Sequence, residues 1–407
     1  MFDFIGVIAI ILLCLISLLF IYRWQEVSKI IFVALLIRIL FLIINNHFFY
    51  LPDGNMDALN FEARAWNWSK GGFLNIFNYY KGPDAYFISF FYAIPYSLFG
   101  RSILMLQSIS ILFGLGSVFL GWLLAKKLWG NKTAKKVGWT IALFPSIVSY
   151  SVLTMREVYI SFFLILAIYG VVNWVRAKDI KSIILTIFGF IGATFFHGAS
   201  IIGLFVFAAV VTLDSIKKSF ELIKTRTINI KLLFVVFISS VVLMQYVSGK
   251  IHVPYLKTFD KTINTQHMRL LMNYNTKGDA SYPDWLKVET DVEFIYKVPL
   301  RTLYFLFAPF PWDAKKLSHI VGVFDSVLYM TLFFLILRNR KTIWKDPALR
   351  IISLILLSYF IIFGIGVSNF GTGIRHRVKF VIGLIMLAGP LIPRLVFKNK
   401  NKIKQKF

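Results

Sequence analysis

The chain has 407 residues, 58% hydrophobic and 17% aromatic but only 16% charged, with a mean hydropathy of +0.72. Soluble domains are about a quarter charged, so a soluble globular fold is excluded. Repeated uncharged runs of about 20 residues are long enough to cross a lipid bilayer. The net charge of +26 is spread over short clusters between these runs. That pattern orients membrane proteins, so nucleic acid is not an expected partner.

The apolar runs are continuous rather than alternating, so they predict helices and not a barrel. In chain order they fall at 3–22, 30–47, 103–125, 137–153, 157–175, 181–196, 198–213, 231–248, 319–337, 350–367 and 378–396, which is eleven crossings. The first run holds the single cysteine, Cys14, which has no partner for an internal disulfide. It ends at "RWQEVSK" without a small-residue cleavage site, so it is expected to be a retained helix. The runs 181–196 and 198–213 are short and meet at "FHGAS", and lysines at both outer ends predict a hairpin rather than one long helix.

The stretch 85–100, "AYFISFFYAIPYSLFG", is expected to lie in the interface without crossing. Pro95 interrupts it. A crossing there would also put "KKLWGNKTAKK" and every later basic loop on the opposite face. With it left out, the loops 23–29, 126–136, 176–181, 214–231, 338–350 and 394–407 fall on one side. They carry +1, +5, +2, +3, +4 and +6, together +21 of the net +26. By the positive-inside rule that side is cytoplasmic. The expected fold is thus one all-α polytopic membrane domain over 1–407. It has an outer loop at 48–102 with interfacial helices, a long outer loop at 249–318 and a basic cytoplasmic tail at 397–407.

The same threading sorts the polar residues. The outer face receives 48–102, the "TMREVY" turn, 249–318 and "SNFGTGIRHRVKF", and all six histidines (His47, His197, His252, His267, His319, His376) lie on or near it. Asp53, Asp57, Glu62 and Arg64 follow the second apolar run directly. If 56–68 is helical, Asp57, Phe61, Arg64 and Trp68 share one face. Asp57 is then placed either as a general base or as a partner of Arg64. Asp53, just past Pro52, suits a helix cap or a substrate contact, and Glu62 and Arg64 read as a solvated face. Arg156 and Glu157 sit at a helix junction, as an interfacial ion pair or as phosphate and acceptor contacts.

"IRHRVKF" places Arg375, His376, Arg377 and Lys379 beside the last run, on the face where basic residues are not expected. A guanidinium binds phosphate oxygens through a two-pronged fork. Arg375 and Arg377 are therefore candidate phosphate binders, with His376 and Arg156 beside them, against a role in headgroup anchoring. Gly371 and Gly373 would allow a tight turn there. Arg269 and Arg301 are lesser candidates for the same role, and His197 divides between packing and an acceptor contact. Arg38 lies inside the second run, where an arginine is costly. The sequence has no Gly-rich phosphate loop, no CxxC and no HExxH.

The first half has a distinctive order. An apolar helix leads to an outer loop with acids and a short aromatic helix, "DALNFEARAWNW". A second interfacial helix ends in "LFG", followed by a helix running into "LLAKKLWGNKTAKKVG" and then "ALFPSIVSYSVLTMRE". Over residues 30–215 this resembles the GT-C superfamily of polyprenyl-phosphate-dependent membrane glycosyltransferases. The resemblance implies a catalytic carboxylate in the first outer loop. That is Asp57 by position, with Asp53 as competitor, because the family's Asp-Glu pair is replaced by "DGNMD". It implies a second acid at Glu157. Two such acids could hold a divalent metal ion, which some members use. The second half, with "FLFAPFPWD" and "GTGIRHRVKF", is similar to O-antigen and capsule repeat-unit polymerases of the Wzy type. The implied function is a glycosyltransferase on the outer face of a bacterial inner membrane. It would take an undecaprenyl-type lipid-linked sugar and extend a cell-surface polysaccharide beside other assembly proteins. The rival is a transporter or flippase of lipid-linked oligosaccharide, which would place ionisable groups near the midplane on broken helices.

Overall fold

The computed structural model describes residues 3–80, 82, 84–224, 269–270, 272–273 and 279–393. Among them all regular secondary structure is helical, apart from one isolated bridge between Ser281 and Asn369.

Helices α1 (Phe4–Arg23) and α2 (Ser28–His47) come first. Asp3 caps α1 by accepting from Gly6 N at 2.8 Å and also accepts from Ser102 Oγ at 2.7 Å. Between Phe48 and Ser102 lie two helices, α3 (Asp57–Ser69) and α4 (Phe87–Phe99), of 13 residues each. At 1.5 Å per residue each is about 20 Å long, short of a hydrocarbon core of about 30 Å. Glu62 pins them together. It is buried, accepting from Tyr96 Oη at 2.7 Å and from Arg101 Nε and Nη2 at 2.9 Å each. Glu62 is therefore a structural anchor and not part of the solvated face expected from sequence.

Helix α5 (Ile103–Trp129) starts under the Ser102 cap. The return path is not the single helix expected over 137–153. It is two helices, α6 (Asn131–Leu143) and α7 (Pro145–Tyr150). Pro145 has no N–H to donate and drives Phe144 into an extended conformation. The fully buried Arg38 serves the break, donating from Nη1 to Ala142 O at 3.3 Å and to Ala34 O at 3.1 Å.

Next come α8 (Glu157–Ala177), α9 (Ile180–Phe196) and α10 (Ile201–Lys224). Two glycines let α8 and α9 touch backbone to backbone. A Cβ on Gly189 would stand 2.5 Å from Ala167 N, and one on Gly170 would stand 2.7 Å from Thr186 N. The chain turns between α9 and α10 at His197–Ser200, where the sequence places a hairpin. The expected crossing at 231–248, His252, His267 and the tail at 397–407 lie outside the described residues.

The second half builds α11 (Asp291–Phe307), α12 (Leu317–Lys345), α13 (Pro347–Gly366), α14 (Phe370–Arg377) and α15 (Val381–Ala388). Helix α11 starts with a capping box of Thr290 and Glu293, so part of the long loop 249–318 is folded. Within the expected span 378–396 the described residues form α15, eight buried residues, continued by a 3-10 turn at Gly389–Leu391 where Pro390 ends the α-helical geometry.

Among the described residues, seven helices are long and apolar enough to cross a membrane: α1, α2, α5, α8, α10, α12 and α13. Helices α4 and α9 and the segment of α15 are apolar but shorter. The chain is thus an α-helical, multi-pass membrane protein. Its helices have two distinct ends. At one end, basic residues pair across helix termini: Lys126 with Glu26 at 2.7 Å, Arg176 with Asp346 at 3.0 Å and Lys178 with Asp214 at 3.0 Å. At the other end lie the C-terminus of α2, α3, α4, the N-terminus of α8 and α14.

If α4 does not cross, cysteines placed at the exposed Leu74 and Lys132, in a chain with Cys14→Ser, will react with an impermeant maleimide from opposite sides. Labelling of both from one side would show that α4 crosses.

Candidate functional site

The turn after α2 sets the first acid. Asn45 Oδ1 accepts from Leu51 N at 3.0 Å, and Gly54 N donates to Leu51 O at 2.8 Å. Gly54 packs so closely on this turn that a Cβ would stand 2.8 Å from Asn45 Oδ1. Asp53 adopts a left-handed φ of 66°, a conformation that Asp tolerates better than most residues. It does not cap α3. Its carboxylate accepts from Tyr150 Oη at 2.6 Å, at the end of the broken return path. Burial pushes the Asp53 carboxyl above its ordinary 3.8. The Tyr150 hydrogen bond and Arg375 oppose that rise, and the Glu157 and Asp57 charges reinforce it.

Asp57 is the first residue of α3, where the helix dipole favours a negative charge. Thr154 Oγ1 donates to Ala58 O at 2.8 Å and Ser89 Oγ to Phe61 O at 2.9 Å, which fixes α3 against its neighbours. The Asp57 side chain is 43% exposed and pairs directly with Arg375 Nη1, not with Arg64. Arg64 instead lies over the Tyr86 ring at 3.8 Å.

Glu157 opens α8 and is fully buried. Its Oε1 lies 3.9 Å from Arg156 Nε, 3.8 Å from Arg375 Nε and 3.7 Å from Lys379 Nζ. Neither carboxylate oxygen has a hydrogen-bond partner among the described residues. Arg156 also donates from Nη1 to Ala85 O at 3.3 Å. Lys379 Nζ stands 2.5 Å from His376 Nδ1, and the His376 and His197 rings lie 5.3 Å apart. Burial, reinforced by the charge of Lys379, holds both histidines well below their ordinary 6.5.

Asp53, Asp57, Arg156, Glu157, Arg375 and His376 therefore form one cluster, backed by His197. Lys379 joins it, although the sequence marks it only as part of a basic run. Tyr150 carries no such mark, because its role depends on the break at Pro145. Arg375 stands between Asp57 and Glu157, so the counter-charge for these two acids is a guanidinium. No group of three or more metal-ligating side chains occurs among the described residues.

Three expected phosphate binders lie elsewhere. Asn369 caps α14 by accepting from Thr372 N at 2.7 Å, so Gly371 and Gly373 are helical rather than in a turn. On a helix, residues two apart point about 200° apart and residues four apart share a side. Arg375 therefore faces the acids and Arg377 faces away, and Lys379, in the turn that follows α14, returns to the side of Glu157. Arg377 donates to Asp325 Oδ2 from Nη2 at 2.7 Å and from Nε at 3.2 Å, to Ser326 Oγ at 3.0 Å, and to Leu306 O and Ala308 O at 3.0 and 2.7 Å. It is a buried clasp with no donor to spare for phosphate. Arg301 likewise donates to Gly364 O, Met272 O, Leu286 O, Val367 O and Ser368 Oγ. Arg269 pairs with Asp291 and donates to Glu289 O.

No family model matches this chain, and no curated protein or solved structure matches it.

Two predictions come from this geometry. Arg377→Met leaves Asp325 as an unpaired buried charge and should cost about 3–5 kcal/mol, read as a lower unfolding temperature in detergent. Unchanged stability would contradict the clasp. The second concerns pH. A raised folded-state value means that the Asp53 contribution to stability is fully present below 3.8 and is lost as pH rises through the folded value. Thermal unfolding followed from below 3.8 upward should show Asp53→Asn losing less stability than the native protein.

Proposed function

We propose that the protein is a membrane glycosyltransferase. In this reading it takes a sugar from a polyprenyl phosphate or pyrophosphate carrier of the undecaprenyl type. It works at the outer face of a bacterial inner membrane and extends a cell-surface polysaccharide as a repeat-unit polymerase. The observation that supports this is the half-exposed carboxylate of Asp57 paired with Arg375, whose Nε lies 3.8 Å from the buried Glu157.

Glycosyl transfer needs an acceptor hydroxyl deprotonated and a phosphate leaving group stabilised as its charge develops. Asp57 is the exposed carboxylate and serves as general base. Arg375 keeps its charge at any working pH and, released from Asp57, turns its fork to the departing phosphate. Glu157 is enclosed and touches no substrate. Its role is positional: it holds Arg375, Arg156 and Lys379 in one place. Asp53, bound to Tyr150, braces the loop.

One observation favours the rival transport reading. The α6–α7 break sits beside Arg38, whose Nε and Nη2 have no acceptor among the described residues. A broken helix next to a buried charge is a feature of transporters.

The two readings separate in one assay. Purified protein in detergent, given a lipid-linked saccharide donor, should form a glycosidic product with no membrane gradient. Asp57→Asn should lower that rate by about 10²–10⁴, with expression and membrane insertion intact. Arg375→Lys should lose most activity, because it keeps the charge and loses the fork. A fully active Asp57→Asn would sink the assignment of the base, and saccharide movement across vesicles without product would favour transport.

A further inference from the structure

Beside Asp57 a cleft of about 600 Å³ runs along the outward side of α3. Its volume is in the range of small-molecule sites. Asp57, Asn60, Arg64 and Asn67 follow spacings of three and four, so they make one stripe along α3, about 15 Å long at 1.5 Å per residue. Trp68 and Tyr86 supply the aromatic wall.

Asp57 is paired with Arg375, but the other polar groups of this cleft are unspent. Arg64 lies over Tyr86 at 3.8 Å and reaches Trp68 at 5.9 Å, and Trp68 in turn stacks on Tyr79 with centroids 5.4 Å apart and planes 9° apart. Stacking occupies the face of the guanidinium and leaves its in-plane N–H donors pointing out. Those donors have no protein acceptor among the described residues, and neither do the exposed amides of Asn60 and Asn67 have partners there. Each amide offers one acceptor and two donors. With the Asp57 carboxylate, the stripe interleaves acceptors with donors along its whole length.

That mixture selects a ligand class. A phosphate or carboxylate ligand needs donors alone and would meet Asp57 and two amide oxygens. A chain of hydroxyl groups, each both donor and acceptor, matches the stripe, and the flat C–H faces of sugar rings suit the aromatic wall. We infer that this cleft is a saccharide-binding subsite that holds the acceptor glycan and leads its reacting hydroxyl to Asp57. The inference rests on the glycosyl-transfer reading for the fate of the glycan, but not for its binding.

The test uses the purified full-length protein and lipid-free oligosaccharides released by mild acid from the surface polysaccharide of the cells that make it. Equilibrium dialysis should show binding to the native protein. Asn60→Ala/Asn67→Ala should weaken it about tenfold or more, since each lost hydrogen bond contributes a factor of several. The unfolding temperature should stay unchanged, because both side chains are exposed. In transfer assays the acceptor KM should rise by a similar factor. No binding to the native protein, or equal binding to both proteins, overturns the subsite. Weakened binding without any glycosidic product supports the subsite and removes the transferase reading. Transfer with an unchanged acceptor KM in the double variant does the reverse.

Discussion

The site depends on one guanidinium, that of Arg375. Asp57 and Glu157 come from helices far apart in sequence, one half-exposed and one fully buried. Arg375 pairs with the first directly and stands 3.8 Å from the second. It thereby ties the start of α3 and the start of α8 to α14. The Asn369 cap matters for the same reason, since it sets where α14 begins and hence which side of the helix each basic residue takes.

The arginines of this protein divide by how fully their donors are used. Arg377 and Arg301 are buried and saturated, mostly by backbone carbonyls. Burying a charge is costly unless it is paired and hydrogen-bonded; Arg377 meets both conditions through Asp325 and its carbonyls, and Arg301 meets the second with five acceptors. The cluster around Glu157 does not. Its carboxylate has cations at 3.7–3.9 Å and no hydrogen bond among the described residues.

Much of the fold was legible because hydropathy is local. Most of the long apolar runs within the described residues became helices, 85–100 became a short helix, and the polarity around 48–60 marked the acidic loop. Interior detail was not legible. Pro145 splits a run whose composition alone reads as continuous, and the turn at Gly389–Leu391 ends another early. Glu62 looked solvated because its partners, Tyr96 and Arg101, are more than thirty residues away. Arg375 and Arg377 were alike as residue types, and only the helical phase of α14 separates a cluster arginine from a structural clasp. The acids of the site were found because acidic residues are scarce in this chain, 19 against 45 lysines and arginines. Tyr150 gave no such signal.

The location of the cluster has a physical reason as well. Backbone that is not helical is tolerated at membrane depth only where it is buried in protein or lines a cavity. At the end of the bundle away from the basic pairs, α3, α4, α7 and α14 all stop short, so their termini and connecting turns need polar partners. Arg38 serves the α6 carbonyl at Ala142, Tyr150 serves Asp53, and Thr154 serves α3. At the opposite end the helices finish in lysines and arginines, three of which pair with acids across helix termini. Short elements thus gather polar side chains at one end of the molecule, and the charged cluster sits where they meet.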